Sequence, residues 1–106
     1  MKKKLIRDGY AHIIEQNEKT QLVVCPIGER KKMLIEKLYE EVGEFVNELD
    51  QIENKEDIPQ ILRDRLWGEY SDVHDVLAQI AYEYDIKYQN NDRGKFYNYV
   101  MLVEKE

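Results

Sequence analysis

Two stretches of this chain place carboxylates on the apolar face of a helix, and no other feature constrains the fold as much. Arg30 to Ile52 runs without proline. A wheel advancing about 100° per residue puts Leu34, Leu38, Val42, Phe45 and Leu49 on one face. Glu41 falls inside that stripe, Glu44 and Glu48 lie at its edge, and Glu40 points to solvent. A second helical segment opens at Asp57, its expected N-cap, and Pro59, and runs to about Tyr84. Its stripe is Leu62, Leu66, Tyr70, Val73, Leu77, Ile80 and Tyr84. Glu69 falls inside this stripe, Asp72 lies on its border and Asp75 faces outward.

A carboxylate on such a face costs several kcal/mol unless it is paired or bound to a cation. Each segment carries two acids three residues apart, Glu41 with Glu44 and Glu69 with Asp72, and such residues occupy neighbouring turns of one face. Two antiparallel helices with these pairs facing each other make a box of four carboxylates. Like charges that close raise one another's pKa, and a divalent cation relieves the repulsion. Only oxygen ligands are on offer, which selects magnesium, or manganese, over zinc. The expected metal set is Glu41, Glu44, Glu69 and Asp72. Lys37 sits one turn before Glu41, where it reaches the site or forms a plain ion pair with Glu41.

The remaining features set the class. At 106 residues and 12.8 kDa, the expectation is one helical domain over 1–106, with little room for a deep internal site. A net charge of −6 argues against a nucleic-acid polymer as partner, because such binding neutralises phosphates. No apolar run approaches the roughly 20 residues that span a bilayer, and the lysines at the start precede no long apolar stretch. Neither a membrane partner nor a signal peptide is expected. Cys25 is alone, so no intrachain disulfide and no cysteine-based zinc site is expected, and the setting reads as cytoplasmic. The fold class is mainly α, an antiparallel helix bundle, with short strands expected near 20–25 and 96–103. Leu5 to Gln16 suits a short helix or an arm, and Asn90 to Gly94 a loop. His12 and His74 read as surface or interface residues. Trp67, off the main stripe, reads as a base or interface contact. The aromatic cluster Tyr82, Tyr84, Tyr88, Phe96, Tyr97 and Tyr99 suggests burial against a partner subunit.

At the level of motifs, Lys37-Leu-Tyr-Glu-Glu-Val-Gly-Glu44 resembles the K-L-x-E-E-x-x-E motif of the MazG-like nucleotide pyrophosphohydrolases. Glu69-Tyr-Ser-Asp72 resembles their E-x-x-D motif. Lys4-Leu-Ile-Arg7-Asp8 and Arg93-Gly94-Lys95-Phe96 resemble the K-L-V-R-D opening and R-G-G-F closing of a small phosphoribosyl-ATP pyrophosphohydrolase-like subgroup. The ordered set covers nearly the whole chain. Lys95 replaces the subgroup's second closing glycine, and Gly9 stands where the subgroup tends to have lysine.

The resemblance implies an all-α bundle in a homodimer or homotetramer. It implies hydrolysis of a nucleoside triphosphate between the α and β phosphates, giving monophosphate and pyrophosphate, in a house-cleaning role. Magnesium would be held by Glu41, Glu44, Glu69 and Asp72, with Glu41 or Glu44 orienting the water. Lys37, Lys4, Arg7, Arg93 and Lys95 are the candidate phosphate contacts, the last four from chain ends that the family pattern brings near the site. A specialised phosphoribosyl nucleotide follows only from the subgroup's description, since no residue selects it. The rival reading is a helical oligomerisation or partner-binding module whose metal site is degenerate.

Overall fold

The computed structural model of the protein describes residues 3–6, 21–88, 96 and 98–105. Helix α1 spans Arg30–Leu49 and helix α2 spans Gln60–Glu83. A single 3₁₀ turn, Ile27–Glu29, leads into α1. Pro26 holds an extended backbone there, and its carbonyl accepts the Glu29 N–H at 2.9 Å. The described residues are helical and non-regular, and no helix among them is long and apolar enough to cross a membrane.

The helix ends depart from expectation in informative ways. Asp57 does not cap α2. Its N–H is spent in the preceding turn, on the Asn54 carbonyl at 3.0 Å. Pro59 restricts Ile58 before it to extended conformations, so the helix cannot begin earlier, and Asp57 sits too far upstream to reach its first N–H groups. Pro59 itself is the N-cap residue, and its carbonyl accepts the Arg63 N–H at 3.0 Å. Helix α1 stops at Leu49 instead of Ile52, where tighter i→i+3 bonds from Gln51 and Ile52 close the last turn. Helix α2 ends in a Schellman arrangement. Asp85 adopts φ 52°, and the Ile86 N–H reaches back to the Ala81 carbonyl at 2.9 Å.

The two helices pack antiparallel, and the cross-helix pairs fix the register. Arg65 meets Glu48 near the turn, Asp72 meets Glu41 further on, and Glu83 meets Arg30 at the open end. The seam takes alternate steps of four and three residues, the coiled-coil pattern. In α1 it runs Leu34, Leu38, Glu41, Phe45 and Glu48, and in α2 Leu62, Leu66, Glu69, Val73, Val76 and Ile80, all buried or half-buried. Leu34, Leu62 and Val76 are the buried apolar side chains among the described residues, and Glu41 is the buried charged one.

Two expectations need correcting. Val42 and Leu49 in α1, and Tyr70, Leu77 and Tyr84 in α2, are exposed instead of buried. They lie on one flank of the seam, and two helices alone cannot cover a stripe that wide. The strands expected at 20–25 and 96–103 are not formed among the described residues there. Residues 21–25 and 99–103 run as irregular backbone, with Val23, Val24, Val100 and Leu102 exposed and no ladder partner alongside. Leu5 and Ile6, the described start of the Leu5–Gln16 segment, are not helical, in keeping with an arm there. The rest of the Leu5–Gln16 arm and the Asn90–Gly94 loop lie outside the described residues.

Left-handed backbone at Asp85 costs an L-residue roughly 1 kcal/mol relative to glycine. Asp85→Gly is therefore expected to raise the melting temperature by a few degrees with helix content unchanged, as followed by thermal circular dichroism.

Candidate metal centre

Helix α1 carries Glu41 in the middle of the seam, only 7% exposed. Across from it, α2 presents Glu69 and Asp72, both half-buried. One carboxylate oxygen from each of the three lies within 4.8 Å of the others. Glu41 Oε2 and Glu69 Oε2 are buried with no hydrogen-bond partner. A buried carboxylate oxygen left unsatisfied forfeits its hydration without return. Two such oxygens on neighbouring carboxylates of one cluster, both acceptors, call for a cation or a proton.

Glu44 stands one turn beyond Glu41 and is exposed. It lies at the rim of the trio, near enough to Glu41 and Glu69 for the carboxylates to act on one another. Burial pushes the Glu41 carboxyl above the ordinary carboxylate range. Glu44 and Asp72 push the same way, and Lys37 pulls against them. Partial desolvation also raises Glu44, with Glu69 and Glu40 adding to the effect. Lys37 Nζ lies 3.4 Å from Glu41 Oε1 and 3.6 Å from Glu40 Oε2. One ammonium thus answers one oxygen of Glu41 and leaves the other bare.

The donor set fits a hard divalent ion. Magnesium–oxygen distances of about 2.1 Å place opposite ligands about 4.2 Å apart, close to the span of the trio. Nitrogen and sulfur donors are absent from this group, which disfavours zinc. Magnesium also keeps several waters or substrate oxygens in its shell, so three or four carboxylates suffice.

Beside Glu41, a groove of about 510 Å³ follows the hairpin to Arg30 and Glu83, walled by Leu34, Val76, Leu5 and Ile6. Lys4 lines a smaller neighbouring groove of about 220 Å³ together with Lys37, so these two expected phosphate contacts come together. Arg7, Arg93 and Lys95 lie outside the described residues, as do His12 and Tyr97. Trp67 is 72% exposed and stacks on Tyr70, which meets the edge of Phe45 with ring centroids 6.1 Å apart. That aromatic group lies on the flank of the seam away from Lys37 and Arg65. Tyr82, Tyr84, Tyr88, Phe96 and Tyr99 are exposed within the chain, as is His74.

Two groups at the seam escape a wheel drawn on the apolar residues alone. Glu48 lies only at the edge of the stripe there, yet its carboxylate is 17% exposed and sits 3.2 Å from Arg65 Nε. Gln51 completes the group, donating to Glu48 Oε2 at 3.1 Å and accepting from Arg65 at 3.3 Å. The four-three stepping from Leu34 through Glu41 to Glu48 is the signal that finds it. Arg30 is the other, two turns before Lys37 on the same face.

Comparison of the chain with protein-family models, with curated proteins and with solved structures gives no match.

The raised carboxyls set a sign for the pH dependence. Between the ordinary carboxylate value and the raised folded-state value, the folded chain holds more protons than the unfolded chain, so stability falls as pH rises through that window. In the presence of a chelator, the melting temperature is expected to drop from mildly acidic to neutral pH. Glu41→Gln should flatten that profile and raise the chelated protein's melting temperature at pH 7. A profile identical to wild type would mean that the cluster carries no such strain.

Proposed function

We propose that this chain is a magnesium-dependent nucleoside triphosphate pyrophosphohydrolase of the MazG-like kind, cutting between the α and β phosphates. The observation that carries this reading is the convergence of Glu41, Glu69 and Asp72, with two buried oxygens unsatisfied and Glu44 at the rim. These four are the residues that the K-L-x-E-E-x-x-E and E-x-x-D resemblance singles out. Two of them, Glu41 and Glu69, project from a seam where an acid is costly, and a structural role explains them poorly.

Glu41, Glu69 and Asp72 would hold magnesium, or manganese, with Glu44 as a further ligand or ligand to its water. The ion would supply charge neutralisation for the phosphate chain and acidify bound water. Glu44, exposed and raised in pKa, has access to solvent and suits a base that takes the proton from the attacking water. Glu41, buried and tied to Lys37, suits a fixed ligand. Lys37 then faces both the acid cluster and the groove, where its charge can meet a phosphate oxygen. The bond to the β phosphate breaks as the water oxygen bonds to the α phosphorus, and pyrophosphate leaves. A cytoplasmic setting, with its triphosphate pool and reduced Cys25, fits this chemistry.

Pyrophosphate release from a panel of normal and damaged nucleoside triphosphates, with and without magnesium, tests the reading. Wild type should turn over only with the ion. Glu44→Gln is expected to lower kcat at least about a hundredfold while keeping the magnesium-induced rise in melting temperature. Asp72→Asn should lose both. Near-wild-type turnover in both variants would sink the mechanism.

One observation favours self-association, as part of this reading or as the rival binding-module one. Ile35, Tyr39, Val42, Val46 and Leu49 step by four and three along α1, exposed, and Tyr70, Leu77 and Tyr84 continue the same flank on α2. With three buried apolar side chains among the described residues, the hairpin has a small core for its length. A second copy laid against this largely apolar flank would form a four-helix bundle, as a homodimer or as half of a homotetramer. Sedimentation equilibrium should show an oligomer that Val46→Glu with Leu77→Glu dissociates. Tight association with neither turnover nor magnesium stabilisation would favour the module.

A further inference from the structure

The groove beside the carboxylates has a second cationic end. It passes from Glu41 along α1 through Lys37 and Leu34 to Arg30, with Asp75, Val76, Gln79 and Glu83 on the α2 side. Its volume of about 510 Å³ lies within the range of small-molecule sites. Arg30 and Lys37 are two helical turns apart on one face, and Arg30 and Glu41 about three turns, or roughly 16 Å. The long Arg30 side chain and an extended phosphate chain together can bridge that distance.

The two cations differ in how they are held. Lys37 is engaged by Glu41 and Glu40. Among the described residues Arg30 has a loose ion pair: its Nη1 lies 4.0 Å from Glu83 Oε2, at the outer limit of such a contact. The two side chains are 43% and 29% exposed. Such a pair contributes little to stability and is easily broken. A guanidinium offers its paired N–H groups to a phosphate more strongly than to a distant carboxylate.

We infer that Arg30 binds the terminal phosphates of the triphosphate, the part that leaves as pyrophosphate, and that Glu83 is its counter-ion until they arrive. This rests on the pyrophosphohydrolase reading, which alone sets a phosphate chain in the groove. Lys37 holds the phosphate nearer the acid cluster, and Arg30 the far end. Glu83 competes with the phosphate for one guanidinium, so the two halves of the pair act in opposite directions on binding.

That opposition supplies the test. Binding of inorganic tripolyphosphate in magnesium is measured by calorimetry, alongside KM and kcat for the best triphosphate of the panel. Arg30→Ala is expected to weaken tripolyphosphate about tenfold and to raise KM similarly, with a smaller change in kcat. Arg30→Lys should recover part of the loss. Glu83→Gln should tighten binding about two- to fivefold. The magnesium-induced rise in melting temperature should persist in all three. If Arg30→Ala and Glu83→Gln move affinity in the same direction, the pair is merely structural and the inference falls. It falls also if wild type turns over and Arg30→Ala binds unchanged, which leaves the pyrophosphohydrolase reading standing. A wild type with neither turnover nor magnesium stabilisation overturns that reading, and this inference with it.

Discussion

Everything in this hairpin is arranged around one awkward group, a carboxylate in the seam between two helices. Glu41 occupies a position where the four-three pattern calls for leucine, and Glu69 does the same opposite. A leucine at either place would pack without cost. Keeping acids there imposes desolvation and mutual repulsion, which the raised Glu41 carboxyl registers directly. Lys37 relieves part of this and leaves Glu41 Oε2 bare. The seam thus gives up stability at the position where chemistry would need open ligand atoms, the usual arrangement where local rules and function conflict.

The two long helices and the misplaced acids are legible in the residues themselves. Glu41 and Glu69 stand out because a wheel needs only their neighbours to show that they face inward. What the wheel cannot supply is the width of the partner surface. Val42 and Leu49 share the stripe with Leu34, yet a single opposing helix covers the narrower line through Leu38 and Phe45, so they are left outside. Glu48 is the converse: its burial depends on Arg65 arriving from the other helix, and that pairing is set by antiparallel register. The segments at 20–25 and 96–103 have β-prone composition, but a strand is a property of a pair, and neither finds a ladder in the described structure. Asp57 has the right chemistry for a cap two residues too early, because Pro59 decides where the helix starts.

The hairpin is also two-faced. One flank carries Lys37, Glu44, Asp72, Arg65 and the groove leading to Arg30. The other carries Val42, Val46, Tyr70 and Leu77 with Trp67 stacked beside them. The seam between them is shared, so a change in how tightly the helices pack reaches both flanks at once. The proposed chemistry on one side and the proposed association on the other therefore need not compete for surface.

The position of the Arg65–Glu48–Gln51 group beside the turn has a bearing on how the chain assembles. A helical hairpin closes its shortest loop first, because distant contacts carry a larger entropy cost. The contacts nearest the turn are attractive, an arginine meeting a glutamate and a glutamine. Zipping outward from there brings Glu69 against Glu44 and then Asp72 against Glu41, by which point the register is already locked. The repulsive cluster is thus closed by a zipper that began elsewhere, and never has to nucleate the fold. Unzipping runs the other way, from the weak Arg30–Glu83 end inward. The acids lie on the part of the hairpin that opens before the turn does, so they can separate without the helices losing their place at the turn.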